Sequence, residues 1–534
     1  MSLFSGLYVG ASGIQTSSNS LNTVAHNLSN VDTTGYTRQS ASQSTRNYNI
    51  LSKSNSYISY QEIGLGVKYA EVRQVRDFFL DKTYRKESGR SAFYEVSYDT
   101  MGQVEDLLGE SGDNNFQESI SDVWKTVQEL ANDPSSAVTQ GLFVSKAQTL
   151  LERATNVYNS ICDYQMNLNT QVKNMVDQLN EYGERLKELN DAIVKIEIGG
   201  FEHANDLQDE RNLILDKMAE LTDITYSEDI DGYVSVQIEG TDFVKRDDVF
   251  EIGVQADEYG FYTPFWIQNA SLKTLDGGQQ IYDIESARVY DLKREISSDI
   301  DTDIGKLKST LLARGDHFAT AEDLKNPDIY NRDIAQSICM NIAAEFDQLV
   351  SNIVTSINDI LKEAGYTDEN GEALFLRNVI QPEWPDEVKD KDEQGWYTSN
   401  IYVNPKFLQQ PTLISMMKPD GSVDYETATK LKDAFNEEKY VLNPNTTKAS
   451  SFIEYYSDLV TQVANSGSVY KHIAENQSVT REEAAFAREQ VLGVSSDEEL
   501  QKMITYQNAY NAASRYMTTI NTMLESMMNA FGVS

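Results

Sequence analysis

The stretch "HNLSNVDTTGYTRQ", residues 26–39, closes the first helical pattern of the chain and contains its first basic residue, Arg38. Before Arg38 there is a single charged side chain, Asp32. Working backwards, Leu7, Ile14, Leu21 and Leu28 recur every seven residues, and Leu3, Gly10, Ser17 and Val24 run beside them. Alternating steps of three and four are the spacing of a coiled-coil seam. The seam is weak, because Gly6, Gly10 and Gly13 each cost about 1 kcal/mol of helix propensity relative to Ala, and Ser17 adds no apolar area. Small residues suit close packing against a neighbour. Working forwards, the helix is expected to end near Asn30, and "DTTG" supplies a turn in which Gly35 is free to take positive φ.

The far end of the chain mirrors the first. Met503, Tyr506, Tyr510, Ala513, Met517, Ile520, Leu524, Met527 and Phe531 alternate three and four apart, and residues 503–534 hold only two charges, Arg515 and Glu525. Ser495 or Ser496 can cap this helix, with Asp497, Glu498 and Glu499 favoured at the positive end of its dipole. Two terminal helices without charged outer faces are expected to pair, and to be covered on further sides by neighbouring subunits.

The remaining composition narrows the function classes. A chain of 534 residues is long for one core, and a net charge of −38 with 40% hydrophobic residues describes an acidic, folded protein. Nucleic acid is not an expected partner, because phosphate binding needs basic patches. No run reaches the roughly 18 apolar residues of a membrane span, and "MSLFSGLYVGASG" lacks the basic front of a secretory signal. Export, if it occurs, is expected to proceed without a cleaved signal. Two distant cysteines, Cys162 and Cys339, make neither a disulfide framework nor a zinc site. They read as small buried thiols.

Between the ends the periodicity changes several times. Residues 38–63 are Ser, Asn, Gln and Tyr rich and read as loop or irregular extended chain, followed by a short strand in "GLGVKYAEV". Helical patterns are expected over 77–108, 115–131 and 137–198, the last a long rod, with a return helix in "HANDLQDERNLILDKMAELTDI". Residues 224–296 switch to period two: Val234, Val236 and Ile238 alternate with polar neighbours in "GYVSVQIEG". Helix resumes at 333–364, and residues 365–440 carry five of the nine prolines, which break regular structure. The expected fold class is α+β, predominantly α, with paired N- and C-terminal coiled-coil helices, a long helical bundle domain and an inserted β-rich outer domain. Four domains are expected. Residues 1–37 with 495–534 form a terminal helical domain, and 38–223 with 331–364 and 441–494 a helical one. Residues 224–330 form a β-rich outer domain, and 365–440 a small variable α+β insertion.

Catalytic chemistry is missing from the pattern. None of the four histidines sits in a metal spacing, and there is no phosphate loop or nucleophile elbow. No catalytic residue, cofactor or metal is expected. "DIDTDIG", Asp299–Gly305, begins like a calcium loop, but Ile304 stands at position six and Thr310 at position twelve, where Gly and Glu are needed; a solvated acidic turn is the simpler reading. The tripeptide Arg314-Gly315-Asp316 invites an adhesive reading, but three residues match easily by chance.

With these residues in view, "LYVGASGIQTSSNSLNTVAHNLSNVDTTGYTRQ" resembles the N-terminal signature of the bacterial flagellar axial family of rod, hook and hook-associated proteins. That family carries a helix followed by an N-T-x-G-Y/F turn, matched here by Asn30, Thr33, Gly35 and Tyr36, with Asp32 and Thr34 departing mildly. Arg38 and Gln39 continue the match in the manner of the hook–filament junction group. "GLGVKYAEVRQVRDFFLDKTYR", "NDLQDERNLILDKMAELTDI" and "VLGVSSDEELQKMITYQNAYNAASRY" are similar to further signatures of that group. Rod and hook proteins share the first motif but lack the long central helix, and so rank second. A secreted coiled-coil adhesin stands as a reading from another class.

The resemblance implies a structural role in the extracellular flagellum and export through the flagellar type III apparatus. It implies self-assembly into a ring through Leu7, Ile14, Leu21 and Leu28 and through Met503, Tyr506, Tyr510, Met517, Ile520, Leu524, Met527 and Phe531. The implied partners are hook protein, a second junction protein (hook-associated protein 3) and a flagellar export chaperone, FlgN-like, on the C-terminal stripe. Neither nucleic acid nor membrane insertion is implied.

Overall fold

The computed structural model describes residues 3–46, 49–53, 60–109, 116–199, 203–274, 280–378, 395–530 and 532. Helix α1 (Leu3–Ser29) leads into strands β1 (Gln39–Thr45), β2 (Asn49–Lys53), β3 (Tyr60–Ile63) and β4 (Val67–Gln74). Helices α2 (Phe78–Leu107), α3 (Phe116–Asn132), α4 (Ala137–Glu197) and α5 (Asn205–Leu221) follow. Short strands come next: β5 (Ile224–Glu228), β6 (Val234–Ile238), β7 (Thr241–Val244), β8 (Ile252–Ala256), β9 (Tyr262–Trp266), β10 (Ser271–Thr274) and β11 (Gln280–Asp283). The chain then forms α6 (Lys306–Arg314), α7 (Pro327–Ile329) and α8 (Ile338–Glu363), strands β12 (Phe375–Arg377) and β13 (Ile401–Val403), and α9 (Pro405–Gln409) and α10 (Tyr425–Asn436). Two long helices, α11 (Phe452–Leu492) and α12 (Ser496–Ala530), end it. The result is a predominantly helical α+β fold, as expected.

Two compact units share these elements. The first comprises Met1–Ser88, Leu179–Glu251 and Val479–Ser534; the second comprises Gly89–Gln178 and Ile252–Ser478. Residues 224–330 are therefore divided between the units at Glu251.

In the first unit, β6 keeps the alternation read from "GYVSVQIEG": Val234, Val236 and Ile238 are buried, and β5 and β7 flank the strand on either side. Asn190 of α4 joins this sheet to the helix, donating to the Val234 carbonyl at 2.9 Å and accepting from its amide at 3.2 Å. The described residues of 38–63 form strands where irregular chain was expected. Strand β1 pairs antiparallel with β4 from Gln39↔Gln74 to Thr45↔Val67, and β2 pairs with β3. The sequence QSASQST gives no hydrophobic signal because this ribbon is held by backbone pairing and polar contacts.

The second unit is built on apolar helix faces. Phe116, Ile120, Val123, Val127 and Leu130 of α3 lie on one buried stripe, and the Phe116 ring sits 4.9 Å from Phe346 and 5.0 Å from Tyr456. Cys339 is buried in this core and Cys162 packs against it, both as free thiols. Burial pushes the Cys162 thiol up to about 12.

Two motifs resolve differently from their sequence reading. The acidic loop Asp299–Gly305 is not a solvated turn: Asp303 is fully buried. The Arg90 guanidinium lies 3.1 Å from both Asp303 oxygens and 2.7 Å from Asp301, and Tyr94 and Ser298 also donate to Asp303. An arginine thus occupies the place a cation would take in a calcium loop. Arg314 of the RGD tripeptide is buried too, donating to Asn169, to the Tyr262 carbonyl and to the Gly315 carbonyl. Burial brings its pKa down to about 10. A guanidinium used inside the fold is not displayed to a receptor.

Candidate assembly interface

Helices α1 and α12 pack antiparallel in one continuous register. A Cβ placed on Gly6 would lie 3.1 Å from Ile520 Cδ1, one on Gly10 3.4 Å from Met517 Cε, and one on Gly13 3.2 Å from the Ala513 Cβ. At the other end of α1, Asn27 meets Glu499. The α12 side of this contact is the stripe read from the sequence: Ile520 is buried, and Met503, Tyr506, Met517 and Leu524 are half-buried. Tyr510 and Met527 remain exposed. Phe531 lies outside the described residues.

On the α1 side, the closest approach to α12 is made at glycines. Leu7, Ile14, Leu21 and Leu28 are only half-buried. Gly6, Gly10, Gly13 and Asn27 meet α12, and Ser17, Ser20 and Val24, which continue the same fours and threes between Gly13 and Asn27, are buried. Side chains large enough to score as hydrophobic would hold the helices apart. The small line lets Tyr516 and Met517 rest on the α1 backbone, where dispersion contacts are densest.

A second face of α1 rests on the β1–β4 ribbon. Ser12 Oγ accepts from the Val67 amide at 3.3 Å, Gln43 donates to Ser20 at 3.1 Å, and the Thr23 and Tyr69 hydroxyls are 3.1 Å apart. Two of the faces left uncharged by the sequence are therefore covered within the chain.

The turn that follows is built around one residue the sequence reading did not single out. Asn27, 1% exposed, makes four hydrogen bonds. Its amide nitrogen donates to the Gln39 carbonyl at 2.8 Å and to Glu499 Oε2 at 3.0 Å. Its oxygen accepts from the Tyr36 hydroxyl at 2.7 Å and the Gln39 amide at 3.0 Å. An asparagine saturated in both donors and both acceptors can bind α1, the turn, β1 and α12 together. The only hint in the sequence is a polar residue on a line otherwise small or apolar.

Each expected turn residue has a defined task. Asn30 accepts at its carbonyl from the Thr33 amide and at Oδ1 from the Thr33 hydroxyl. Gly35 takes φ +82°, a left-handed value that favours glycine. Burial, reinforced by Asp209, Asp206 and Glu499, pushes the Tyr36 hydroxyl far up, so it stays a neutral donor. Arg38 donates its backbone amide to Leu492 and its guanidinium to Glu498 at 3.0 Å. The Ser495 hydroxyl accepts from the Glu498 amide at 3.4 Å, capping α12.

Other resemblance residues are clamps within the first unit. Asp77 caps α2 by accepting from the Phe79 and Leu80 amides. Arg85, 3% exposed, donates to Asp216 at 2.7 Å, which also receives Arg488 at 2.7 Å. Arg211 reaches the Gly232 carbonyl and Glu228. Among the described residues there is no grouping of His, Cys, Asp and Glu able to hold a metal, and no helix long and apolar enough to cross a membrane.

The outer side of α12 is bare. Only Glu499 and Ile520 are buried among its described residues. Leu500, Ile504, Met523 and Met528 are exposed, and Tyr8 of α1 is 65% exposed in the same unit. Apolar side chains on a helix with two charges in its last 28 described residues (503–530) form a surface for contact with protein.

Comparison with known proteins adds independent findings. The model of the helical domain of flagellar hook-associated protein FlgK matches residues 101–375. The flagella basal body rod protein model matches 7–37, and the C-terminal model of flagellar basal body rod FlgEFG proteins matches 491–530. Over its full length the chain is 24% identical to flagellar hook-associated protein 1 of Bacillus subtilis, covering 100% of this chain and 99% of that one. It is 21% identical to the protein of the same name from Salmonella typhimurium, over 97% and 98% of the two chains. The fold is similar to that of the flagellar hook junction protein FlgK from Burkholderia pseudomallei, with a TM-score of 0.54 and 12% identity over 77% of this chain and 100% of the other.

Proposed function

The chain belongs to the family of the flagellar hook-associated protein FlgK, and from that premise we infer that it is a structural component of the bacterial flagellum, at the junction between hook and filament. The observation that carries the reading is the terminal pair: α12 is packed on α1 along one side and bares methionine, isoleucine and leucine elsewhere. A surface of this kind gains from burial against a neighbouring copy, and a repeated head-to-tail contact of that sort closes into a ring. The half-buried Leu7, Ile14, Leu21 and Leu28 offer further apolar area for that contact. In this reading hook protein lies on one side of the ring and a second junction protein on the other. Export proceeds through the flagellar type III apparatus without a cleaved signal, and a dedicated chaperone covers the α12 face until assembly.

Deleting the gene in its own bacterium tests the role. Cells with hooks but no filaments, releasing filament protein into the medium, are the expected result. Missing hooks would point instead to a rod or hook protein, and intact filaments would remove the flagellar junction reading altogether. Met517→Asp tests the interface more finely, because it sets a carboxylate against the backbone at Gly10. Burying an unpaired charge costs several kcal/mol, so filaments per cell are expected to fall to the deletion level. Tryptophan-monitored unfolding of the second unit should not move, since Trp124, Trp266, Trp384 and Trp396 all fall within its ranges. Normal filaments from Met517→Asp would refute the pairing as an assembly element.

A further inference from the structure

One segment of this acidic chain is basic. Residues 38–88 hold nine Lys and Arg against five Asp and Glu, in a protein of net charge −38. The β1–β4 ribbon lies in that segment, and its two faces differ. Gln43 and Tyr69, a cross-strand pair, reach Ser20 and Thr23 and so mark the face under α1. Alternation along β1 puts Ser40, Ser42 and Ser44 on the opposite face, together with their cross-strand partners Arg73, Glu71 and Lys68. Arg46 continues that face, two residues beyond Ser44, where its amide still bonds the Gly66 carbonyl. Arg46, Lys68 and Arg73 are exposed. Glu71 holds Arg73 at 2.8 Å, whereas among the described residues no carboxylate pairs with Arg46 or Lys68.

The same unit carries a surface of the opposite sign. Residues 223–251, which form β5, β6, β7 and the loop after them, hold nine Asp and Glu against two bases, Lys245 and Arg246. Both bases are already engaged, Lys245 with Asp242 and Arg246 with Asp229 and Asp231. Asp247, Asp248 and Glu251 stand exposed in the loop. Lys187 approaches Asp248 only at 3.9 Å, and among the described residues no Lys, Arg or His side chain pairs with Asp247 or Glu251.

We propose that the ribbon face bearing Arg46 and Lys68 docks on the Asp247–Glu251 loop of a neighbouring copy of this chain. The proposal rests on the reading of the chain as a ring-forming junction subunit, and it names a polar contact beside the apolar one. Charge decides the occupant. Copies of net charge −38 repel one another when brought side by side, so their contact surfaces must be locally complementary, because like charges set face to face are strongly disfavoured. The ribbon supplies a positive patch and the loop a negative one, one of each per copy. Such a pair joins head to tail, the kind of contact that repeats around a ring. A single exposed ion pair contributes little; several charges acting together at every interface carry the effect.

The test is charge exchange, with filaments counted per cell in a complemented deletion strain. Arg46→Glu with Lys68→Glu is expected to lower the count about tenfold or more, because attraction becomes repulsion at every interface. Asp247→Lys with Asp248→Lys should do the same from the other side. Expressed together, the two variant chains should restore filaments, since each presents the charge that the other requires, and a rescue of that kind arises only between copies. Unchanged counts from either variant alone, or no rescue on co-expression, would overturn the proposal. A deletion strain that keeps its filaments would instead remove the junction reading on which the proposal rests. Zero-length carbodiimide crosslinking of flagella built from the unaltered chain gives a reading that needs no variant. An amide joining Lys68 to Asp247, Asp248 or Glu251 supports the contact, and its absence rejects it.

Discussion

Asn27→Ala is expected to leave cells with hooks but few or no filaments, although the substitution removes only a side-chain amide. Alanine strips Tyr36, Gln39 and Glu499 of their shared partner at once. Glu499 is fully buried and would keep only Lys502, at 2.6 Å, as a donor. Each buried polar group left unsatisfied costs about 1–3 kcal/mol. The terms are coupled and do not simply add, so a loss on the order of 4 kcal/mol is expected for the arrangement of α1, the turn and α12. That corresponds to about a thousandfold fall in the equilibrium constant for forming the assembly-competent arrangement. Filaments counted per cell in a complemented deletion strain are the measurement. Leu28→Ala, at the half-buried neighbouring position, is the control and should be far milder. If Asn27→Ala restores filaments as well as the unaltered gene, the four bonds do not organise the interface.

Arg90→Ala is expected to cause the largest loss of stability in the second unit. It removes the bidentate contact to Asp303 and the bond to Asp301, while Asp303 stays buried with two hydroxyl donors. Breaking a buried ion pair from one side costs about 3–5 kcal/mol. Unfolding in guanidinium, read by tryptophan fluorescence, should show that loss. Arg90→Lys should recover only part of it, because a lysine cannot present the planar fork that spans both carboxylates. Replacing the pair together, as Arg90→Met with Asp303→Leu, should recover more than Arg90→Ala alone, since no charge is then stranded. A loss below about 1 kcal/mol for Arg90→Ala, the range of an exposed pair, would show that the site is open to water.

The helices were legible because each buries one stripe. The threes and fours of α12 and of α3 are written in large apolar residues, and the period-two run of β6 is written in valine and isoleucine. Helix α6 was not legible, for the opposite reason. All eight residues from Leu307 to Arg314 are buried, Lys308 and Arg314 included, so no polar face marks its outside. Strand β1 was missed because its residues are Ser, Gln, Ala and Thr, and its pairing partner lies beyond a second hairpin.

The sequence by itself determined that the two ends of the chain are charge-poor helices of matching seven-residue period and that a glycine turn follows the first. Periodicity carries that information because burial of a helix face is a local property of spacing. Tertiary structure alone decided that Gly6, Gly10, Gly13 and Asn27 meet α12. It also decided that Arg90 stands in the acidic loop and that Arg314 is buried. Close approach depends on what a side chain lacks, and the value of a buried polar group depends on which partner reaches it across hundreds of residues. Neither is a property of the residue or its neighbours in sequence.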